Sequence, residues 1–280
     1  MSRRRVMLAE PERLPGDVAA ALERVRPRLG PFGSRVLYFS IVGSTNDVAS
    51  ELAAAGGAHG TVVLADSQTA GRGRRGRSWF SPPGSGLYVS VVLEPSQASA
   101  ARNQAMGLLT LAAGVAIAEG IEIASGVRVA IKWPNDLLVG RRKLGGILAE
   151  GVVATRSHAV SSVVLGYGVN VGSVAYPSEL VARATSLEAE LGRRADRAAV
   201  FAETLAALAN RYRDLAAGRF DAILAAWAER APASRGARVT WETPSGPQAG
   251  ITAGVDERGA LLVRVGSRVE RLVAGEVTWL

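Results

Sequence analysis

Four short apolar segments follow one another in the middle of the chain, separated by turns too short to hold a helix. They cover residues 127–132, 137–139, 146–153 and 161–167. Two parallel strands need a crossover connection of a dozen or more residues, whereas antiparallel neighbours need only a short turn. The spacing therefore favours consecutive strands of an antiparallel or mixed sheet over a purely parallel one.

Segments with the sequence pattern of helices and segments with that of strands lie on both sides of this run. Ala- and Leu-rich stretches behind N-cap residues predict helices, and apolar stretches that stop at Gly predict strands. In chain order we predict a loose basic tail over 1–16, a helix over 17–30, a strand over 36–42, a helix over 44–57, strands over 61–65 and 87–93, a core-facing helix over 97–123, and helices over 186–230. We expect the long helix to be interrupted or weakened at Gly107 and Gly114, and Gly218 to separate two later helices. The fold class is α+β.

The sequence pattern changes beyond Pro232 to short β-branched runs separated by Gly and Pro. These runs cover residues 238–241, 249–255, 260–265 and 269–273. Several short strands at close spacing are typical of a small antiparallel barrel. We therefore predict a small β-barrel after the main body of the chain.

Composition excludes several kinds of site. The chain has no cysteine, which rules out a disulfide framework, a thiolate metal site and a cysteine nucleophile. Its only imidazoles are His59 and His158, and neither stands in a motif suited to a histidine metal cage or a Ser-His-Asp triad. The start of the chain lacks the apolar stretch of a signal peptide, and no segment has the ~18 uninterrupted apolar residues of a membrane span. We expect a cytoplasmic protein.

The balance of charge indicates an anionic partner. With 33 basic and 25 acidic residues the formal net charge is +8, which suits nucleic acid, a nucleotide or an acidic protein. Among the basic residues only Lys132 and Lys143 are lysine. A chain that uses arginine elsewhere is expected to keep lysine where a compact ammonium does what a planar guanidinium cannot, although chance placement is the alternative.

Residues 71–77, Gly-Arg-Gly-Arg-Arg-Gly-Arg, form the most distinctive local motif. Four guanidinium groups and three glycines stand in seven residues. Glycine allows the backbone to approach a ligand closely, and arginine supplies forked donors for phosphate or carboxylate oxygens. A solvated basic loop or a nucleic-acid-binding segment would have the same composition. The position between two predicted strands, with Gln68 before it and Trp79 after it, favours a ligand cradle.

Three further clusters stand at predicted strand ends. Residues 132–136, Lys-Trp-Pro-Asn-Asp, bring an ammonium, an amide and a carboxylate to one turn, although Asn-Asp after Pro is also ordinary turn chemistry and Trp133 can be a core residue. Residues 143–147, Lys-Leu-Gly-Gly-Ile, place the second lysine where glycines admit a ligand to the backbone, unless Lys143 only faces solvent in a hairpin. Residues 166–170 end a strand with small residues and an amide.

Together these motifs resemble those of the bacterial biotin protein ligases, in order and in spacing. The matching residues are Ser44-Thr45-Asn46, Gln68 with residues 71–77, residues 132–136, residues 143–146 and residues 168–170, and the resemblance spans residues 36–280. It implies a catalytic domain with a mixed sheet and flanking helices, related to class II aminoacyl-tRNA synthetases and lipoate ligases, followed by an SH3-like barrel. The implied boundaries are 1–34 for an N-terminal tail and helix, 35–232 for the catalytic domain and 233–280 for the barrel.

The resemblance also implies a reaction. Biotin and ATP would form biotinyl-5′-AMP and pyrophosphate with Mg2+ on the phosphates, and a lysine of the biotin carboxyl carrier protein of an acetyl-CoA or acyl-CoA carboxylase would then take the biotin. Lys143 and Arg74 are the implied catalytic residues. The implied biotin-binding residues are Ser44, Thr45, Asn46, Gln68, Gly71, Arg72, Gly73, Arg74, Lys143, Gly146 and Gly168. The implied ATP-binding residues are Arg74, Arg75, Arg77, Trp79, Lys132, Asn135, Asp136 and Asn170.

Other features of the family are carried over only in part. Adenine packing belongs in the family to the segment that corresponds to residues 172–187, where the match is poor and no residue is assigned, Val174 and Tyr176 being no more than candidates. No metal ligand is named. Only about 35 residues precede the first predicted sheet strand, too few for a winged-helix domain, so neither a repressor role nor sequence-specific DNA binding is expected. No membrane partner is expected, and a homodimer is left open.

Two alternatives to this function stay open. One is a lipoate or octanoyl ligase of the same fold, and the other is a basic nucleic-acid-binding module that uses the loop at 71–77. All the motifs lie before residue 171, which would leave the barrel for carrier docking or stability.

Overall fold

The computed structural model describes residues 10–56, 58–94, 99–153 and 160–280. Residues 1–9 of the predicted tail, the first two residues of the predicted long helix and His158 lie outside the described residues.

A mixed sheet forms the body of the protein. Its seven strands are β1 (Val36–Val42), β2 (Val62–Gln68), β3 (Gly86–Leu93), β4 (Ala130–Lys132), β5 (Asp136–Val139), β6 (Arg142–Val153) and β7 (Val160–Asn170). Their order across the sheet is β1-β2-β3-β7-β6-β5-β4. β1 and β2 are parallel, and every other neighbouring pair is antiparallel. The mixed sheet predicted from the strand spacing is thereby confirmed, and β6 begins early enough to include the second lysine.

The described residues also form seven α-helices. They are α1 (Gly16–Val25), α2 (Thr45–Ala55), α3 (Ser99–Ser125), α4 (Ser178–Val181), α5 (Leu187–Leu191), α6 (Arg197–Ala216) and α7 (Phe220–Arg230). Short 3-10 turns cover Arg26–Arg28, Gly30–Gly33, Arg74–Gly76 and Pro232–Ser234. Gly218 separates α6 from α7 with a φ of 69°, as the sequence predicted, because this left-handed conformation favours glycine.

α3 is the central helix of the core. It packs against α6 and α7 and over the sheet, and residues such as Leu108, Ile117 and Ile121 are fully buried. The helix continues through Gly107 and Gly114, so the predicted interruption is wrong. The part Asn103–Ser125 is long and apolar enough to cross a membrane by composition, but 67% of its most apolar window is buried inside the protein, as in a core helix.

The segment before α1 is not a loose tail where the structure describes it. Glu12 pairs with Tyr38 of β1 as an isolated antiparallel bridge. Its carboxylate accepts hydrogen bonds from the backbone N–H (3.0 Å) and the hydroxyl (2.5 Å) of Ser40. β1 is an edge strand, and an edge presents unpaired backbone groups that a neighbouring segment can satisfy. The expectation of a loose tail is therefore wrong around Glu12.

A second, five-stranded sheet follows α7. Its strands are β8 (Arg235–Thr243), β9 (Gly246–Val255), β10 (Leu261–Val265), β11 (Arg268–Leu272) and β12 (Val277–Trp279). All neighbouring pairs are antiparallel, in the order β11-β10-β9-β8-β12. Trp241, Leu261 and Val263 belong to the same hydrophobic core as α3. The predicted fold class, an α+β body with a small β domain behind it, is confirmed.

Candidate active site

The predicted site residues meet at one open cleft of about 940 Å³ on the larger sheet. The cleft is lined by the start of α2, the loop after β2, the β4–β5 turn, β6 and β7. All the predicted biotin- and ATP-binding residues line it except Gly71 and Asn170. The sequence motifs therefore assemble in space, although more than 120 positions separate the first from the last.

One wall of the cleft carries neutral hydrogen-bonding groups. Ser44, Thr45 and Asn46 are buried at the first turn of α2. The backbone N–H and the hydroxyl of Thr45 both donate to Gln68 Oε1, at 2.9 and 3.2 Å, and Gln68 Nε2 donates to Ser81 Oγ at 3.0 Å. Because these groups are held by one another, the wall is ordered in the absence of a ligand.

Asn46 and Arg72 share a carboxylate that the sequence motifs did not reveal. Asn46 Nδ2 donates to Glu150 Oε2 at 2.7 Å, and a guanidinium nitrogen of Arg72 lies 2.7 Å from the same oxygen. Arg72 also pairs with Asp47 at 2.9 Å. Gly166 makes this arrangement possible, since a Cβ there would come within 2.0 Å of Asn46 Oδ1.

Trp79 forms the floor between the neutral wall and the cations. Its indole ring lies on β7 against Gly168, where a Cβ would come within 2.6 Å of the ring. The ammonium of Lys143 lies 5.4 Å from the ring centroid, within the range of a cation–π contact. Lys143 Nζ also pairs with Asp136 Oδ1 at 2.5 Å. Lys143 therefore faces the cleft, and the solvent-facing alternative is wrong.

The arginines of residues 71–77 are in different environments. Arg74 is half-buried and donates to Asn135 Oδ1 at 3.1 Å, and burial lowers its pKa without removing its charge at neutral pH. Arg75 has a φ of 58°, a left-handed conformation that is uncommon outside glycine. Arg77 pairs with Glu276, and the hydrogen bond between them raises the pKa of Arg77 and lowers that of Glu276.

Lys132 lines the cleft at the end of β4. It pairs in register with Asp136 across the β4–β5 turn. Burial lowers the pKa of Lys132, and the nearby Asp136 carboxylate opposes that effect. A partly desolvated ammonium of this kind gains when an anion is bound beside it.

The two predicted residues outside the cleft have structural roles. The absence of a side chain at Gly71 lets the loop fold back, since a Cβ there would lie 2.5 Å from the Trp79 carbonyl oxygen. Asn170 Nδ2 donates to the Thr185 carbonyl at 2.9 Å, and Tyr176 donates its hydroxyl to the same oxygen at 3.1 Å. Neither Tyr176 nor Val174 lines the cleft.

The small β domain contributes to the cleft, which the sequence did not predict. Gly275, Glu276 and Val277, at the connection between β11 and β12, complete the lining beside Arg77. The motifs all lie before residue 171, and none of them points to these three residues. Gly-Glu-Val in a β-rich segment carries no local signal of a binding role, because only the packing of the two sheets brings Glu276 to the cleft.

Among the described residues there is no group of three or more His, Cys, Asp and Glu side chains that could hold a metal ion by itself. Asp136 and Glu276 are the two carboxylates that line the cleft. Mg2+ is commonly held by one or two carboxylates together with substrate phosphates, so these residues fit a magnesium ion that arrives with a nucleotide.

The chain is similar to several known proteins. A sequence model of the biotin/lipoate A/B protein ligase family matches residues 38–170. The chain is 35% identical over 265 residues to the bifunctional ligase/repressor BirA of Bacillus subtilis, covering 94% of this chain and 79% of that protein. It is 36% identical over 244 residues to the biotin–[acetyl-CoA-carboxylase] ligase of Mycobacterium tuberculosis, covering 85% of this chain and 86% of that one. The structure matches the biotin protein ligase from Aquifex aeolicus in complex with biotin and ATP, with a TM-score of 0.74 and 26% identity over 88% of this chain and 99% of that chain.

Proposed function

The chain belongs to the biotin protein ligase family, and from that premise we propose that it attaches biotin to a carrier protein at the expense of ATP. In the first step the biotin carboxylate would attack the α-phosphorus of ATP, forming biotinyl-5′-AMP and releasing pyrophosphate. In the second step a lysine amine of the carrier would attack the carbonyl carbon of this mixed anhydride, lose a proton and release AMP. The observation that carries the proposal is a cleft with a neutral hydrogen-bonding wall at one end and clustered cations at the other.

The neutral wall suits the uncharged end of biotin. A cyclic urea needs donors and acceptors at fixed positions, and it gains nothing from a nearby net charge. Thr45 and Gln68 offer a hydroxyl and an amide group that their mutual hydrogen bonds already orient, and Ser44 adds a buried hydroxyl beside them. The ring of Trp79 supplies an apolar surface between this wall and Lys143.

The clustered cations suit the two groups that react, the carboxylate of biotin and the triphosphate of ATP. A carboxylate and a triphosphate repel each other, and the first step holds them together while further charge develops at phosphorus. The Lys143 ammonium has three donors, so it can retain Asp136 and still donate to both reacting groups. Lys132 and Arg74 lose water on burial, and a phosphate beside them replaces that lost solvation.

Mg2+ would accompany the ATP, held on the protein side by Asp136 and Glu276. The ion supplies neutralisation of the phosphate charge and leaves the reacting groups to the side chains of the cleft. The carrier would be the biotin carboxyl carrier protein of an acetyl-CoA or acyl-CoA carboxylase, and the compartment the cytoplasm. The name of the Mycobacterium relative, which specifies the acetyl-CoA carboxylase, supports this choice of carrier.

Release of pyrophosphate by the purified protein tests the proposal. With ATP and Mg2+ present, we expect release to depend on biotin and to continue past one turnover only when a carrier protein is added. Lipoate in place of biotin is the matched control, because the family model covers both kinds of ligase. Release with lipoate and none with biotin would assign the other substrate, and release with neither would reject the ligase function.

A further inference from the structure

The turn between β9 and β10 binds the turn between β4 and β5. Trp133 is buried in the β4–β5 turn, and its indole Nε1 donates to the carbonyl oxygen of Gly259 at 3.0 Å. Gly259 belongs to the small β domain and lies 126 positions further along the chain. A residue of the predicted ATP motif is therefore held by the other sheet.

The β9–β10 turn is itself fixed in place. The Asp256 carboxylate accepts hydrogen bonds from the backbone N–H groups of Arg258 and Ala260, each at 2.9 Å. Gly259 has a φ of 81°, where a side chain would be strained. The Gly259 carbonyl is thus presented to Trp133 by a turn with its own internal hydrogen bonds.

The β9–β10 turn also contacts α3 at two points. Gln104 Nε2 donates to the carbonyl oxygen of Glu257 at 2.9 Å. The carbonyl oxygen of Arg258 faces Gly107, where a Cβ would come within 2.7 Å. Three consecutive carbonyl groups therefore lie against the larger domain, and Gly107 is the position on α3 that allows this approach.

On its other side the β4–β5 turn is held by β6. Asn135 Nδ2 donates to the Ile147 carbonyl at 2.8 Å, and the Ile147 N–H donates to the Asn135 carbonyl at 3.0 Å. Lys132 and Asp136 stand at the two ends of the turn. Strand pairing with β6 and the ion pair with Lys143 also hold Asp136, but Trp133 is the residue through which the turn is bonded to the small β domain.

We propose that the β9–β10 turn is a positioning element for ATP, and that it acts through the indole N–H of Trp133. Loss of that hydrogen bond releases the turn from the small β domain, so Lys132 and Asp136 shift relative to the bound phosphates. In the part of the chain that the structure describes, the side chains of Thr45 and Gln68 bond to each other, to Ser81 and to Ser90 rather than to the β9–β10 turn, so the neutral wall keeps its geometry. The inference rests on the proposed function, and it makes Trp133 a positioning residue of the ATP half of the site.

Trp133→Phe tests the inference, with Trp227→Phe as the matched control. Both tryptophans are buried, but the indole N–H of Trp227 has no partner among the described residues. Since misplacement by about 1 Å can cost ~100-fold in rate, we expect Trp133→Phe to lower kcat/KM for ATP about tenfold in pyrophosphate release, with the KM for biotin changed less than about twofold. Trp227→Phe should leave both parameters unchanged.

Gly107→Ala tests the same link from outside the cleft, which matters because Trp133 itself lines it. The new methyl group would push the Arg258 carbonyl away from α3 and draw Gly259 with it. Gly114→Ala on the same helix is the control, because its Cβ would make only ordinary contacts at 3.5 Å. We expect Gly107→Ala to raise the KM for ATP severalfold in protein that stays folded at the assay temperature, and Gly114→Ala to leave that KM unchanged.

The outcomes separate the inference from the function on which it rests. If the unaltered protein releases no pyrophosphate with biotin and ATP, the proposed function fails. If it does, and Trp133→Phe matches Trp227→Phe or lowers ATP and biotin parameters equally, the positioning role is wrong. A loss specific to ATP in Trp133→Phe with no effect of Gly107→Ala would also reject it, since the indole would then be acting on the ligand directly.

Discussion

Two segments supply cations to the same cleft, and they are held there by different forces. The β4–β5 turn, residues 132–136, is fixed by hydrogen bonds from largely buried groups to β6 and to the β9–β10 turn. The loop at residues 71–77 has a few backbone hydrogen bonds of its own and one hydrogen bond from Arg74 to Asn135, and its other attachments are ion pairs of Arg72 and Arg77 with exposed or partly exposed carboxylates. Such pairs contribute little stability and are screened by salt. We therefore expect the turn to be preformed and the loop to become ordered when its ligand binds.

Substitution of Lys143 should have the largest effect, because this residue contacts both segments, through Asp136 of the turn and through Trp79 beyond the loop. The wider guanidinium of Lys143→Arg cannot donate to a carboxylate and an α-phosphate from the same point without pushing them apart. We expect a loss of about 100-fold in turnover, close to that of Lys143→Ala. Pyrophosphate release at saturating biotin and ATP measures it. Turnover near that of the unaltered protein would show that lysine stands there by chance.

Hydrogen exchange distinguishes the two segments directly. On addition of a non-hydrolysable biotinyl-adenylate analogue, we expect exchange at residues 71–77 to slow by about tenfold or more, because an anion neutralises mutually repelling arginines. The Ile147 amide, which is bonded to Asn135 of the turn, serves as the internal control and should change little. Equal protection of residues 71–77 and of the Ile147 amide, or no change at residues 71–77, would show that the loop and the turn do not differ in this way.

Glu150 connects the loop to the biotin wall, and its charge should matter for biotin alone. Glu150→Gln keeps the shape but weakens the shared acceptor of Asn46 and Arg72. Since charge-assisted hydrogen bonds are about twice as strong as neutral ones, we expect the KM for biotin to rise about fivefold and that for ATP to stay constant. Glu229→Gln, which alters an exposed pair with Arg128 at 4.0 Å, is the control. If the KM for ATP rose instead, Glu150 would act on the ATP half of the site and the prediction would be wrong.

The smallest effect is the pH dependence of the turn. Burial lowers the pKa of Lys132, so its ammonium loses its proton at a lower pH than an ordinary lysine. Phosphate binds the charged form, so the KM for ATP should rise as the pH increases over the alkaline range, starting at a lower pH than the titration of an ordinary lysine would give. Lys132→Arg keeps its charge throughout this range and should flatten the rise. A rise that persists unchanged in Lys132→Arg would assign the titration to another group.

Local sequence patterns determined much of this protein. The spacing of residues 127–167 gave the antiparallel half of the sheet, and Gly218 separated two helices as expected, because periodicity and backbone preference act within a few residues. The motif residues reached one cleft because they stand at strand ends and turns. The predicted strands and the helix break at Gly218 depend on interactions between residues close in sequence. The predicted site residues depend on a motif spacing shared with the family.

The tertiary structure alone decided which carboxylates and carbonyls meet those motifs. Glu150 lies on a partly exposed strand, Glu276 in a short connection and Gly259 in a turn, and each sits in a local pattern that is ordinary for its element. Gly107 is the opposite case. The low helix propensity of glycine predicts a weak position in α3, but the sequence gives no sign that the Arg258 carbonyl packs against it. A sequence pattern records what a residue does for its own element, but a contact between residues more than 100 positions apart depends on how the two sheets pack.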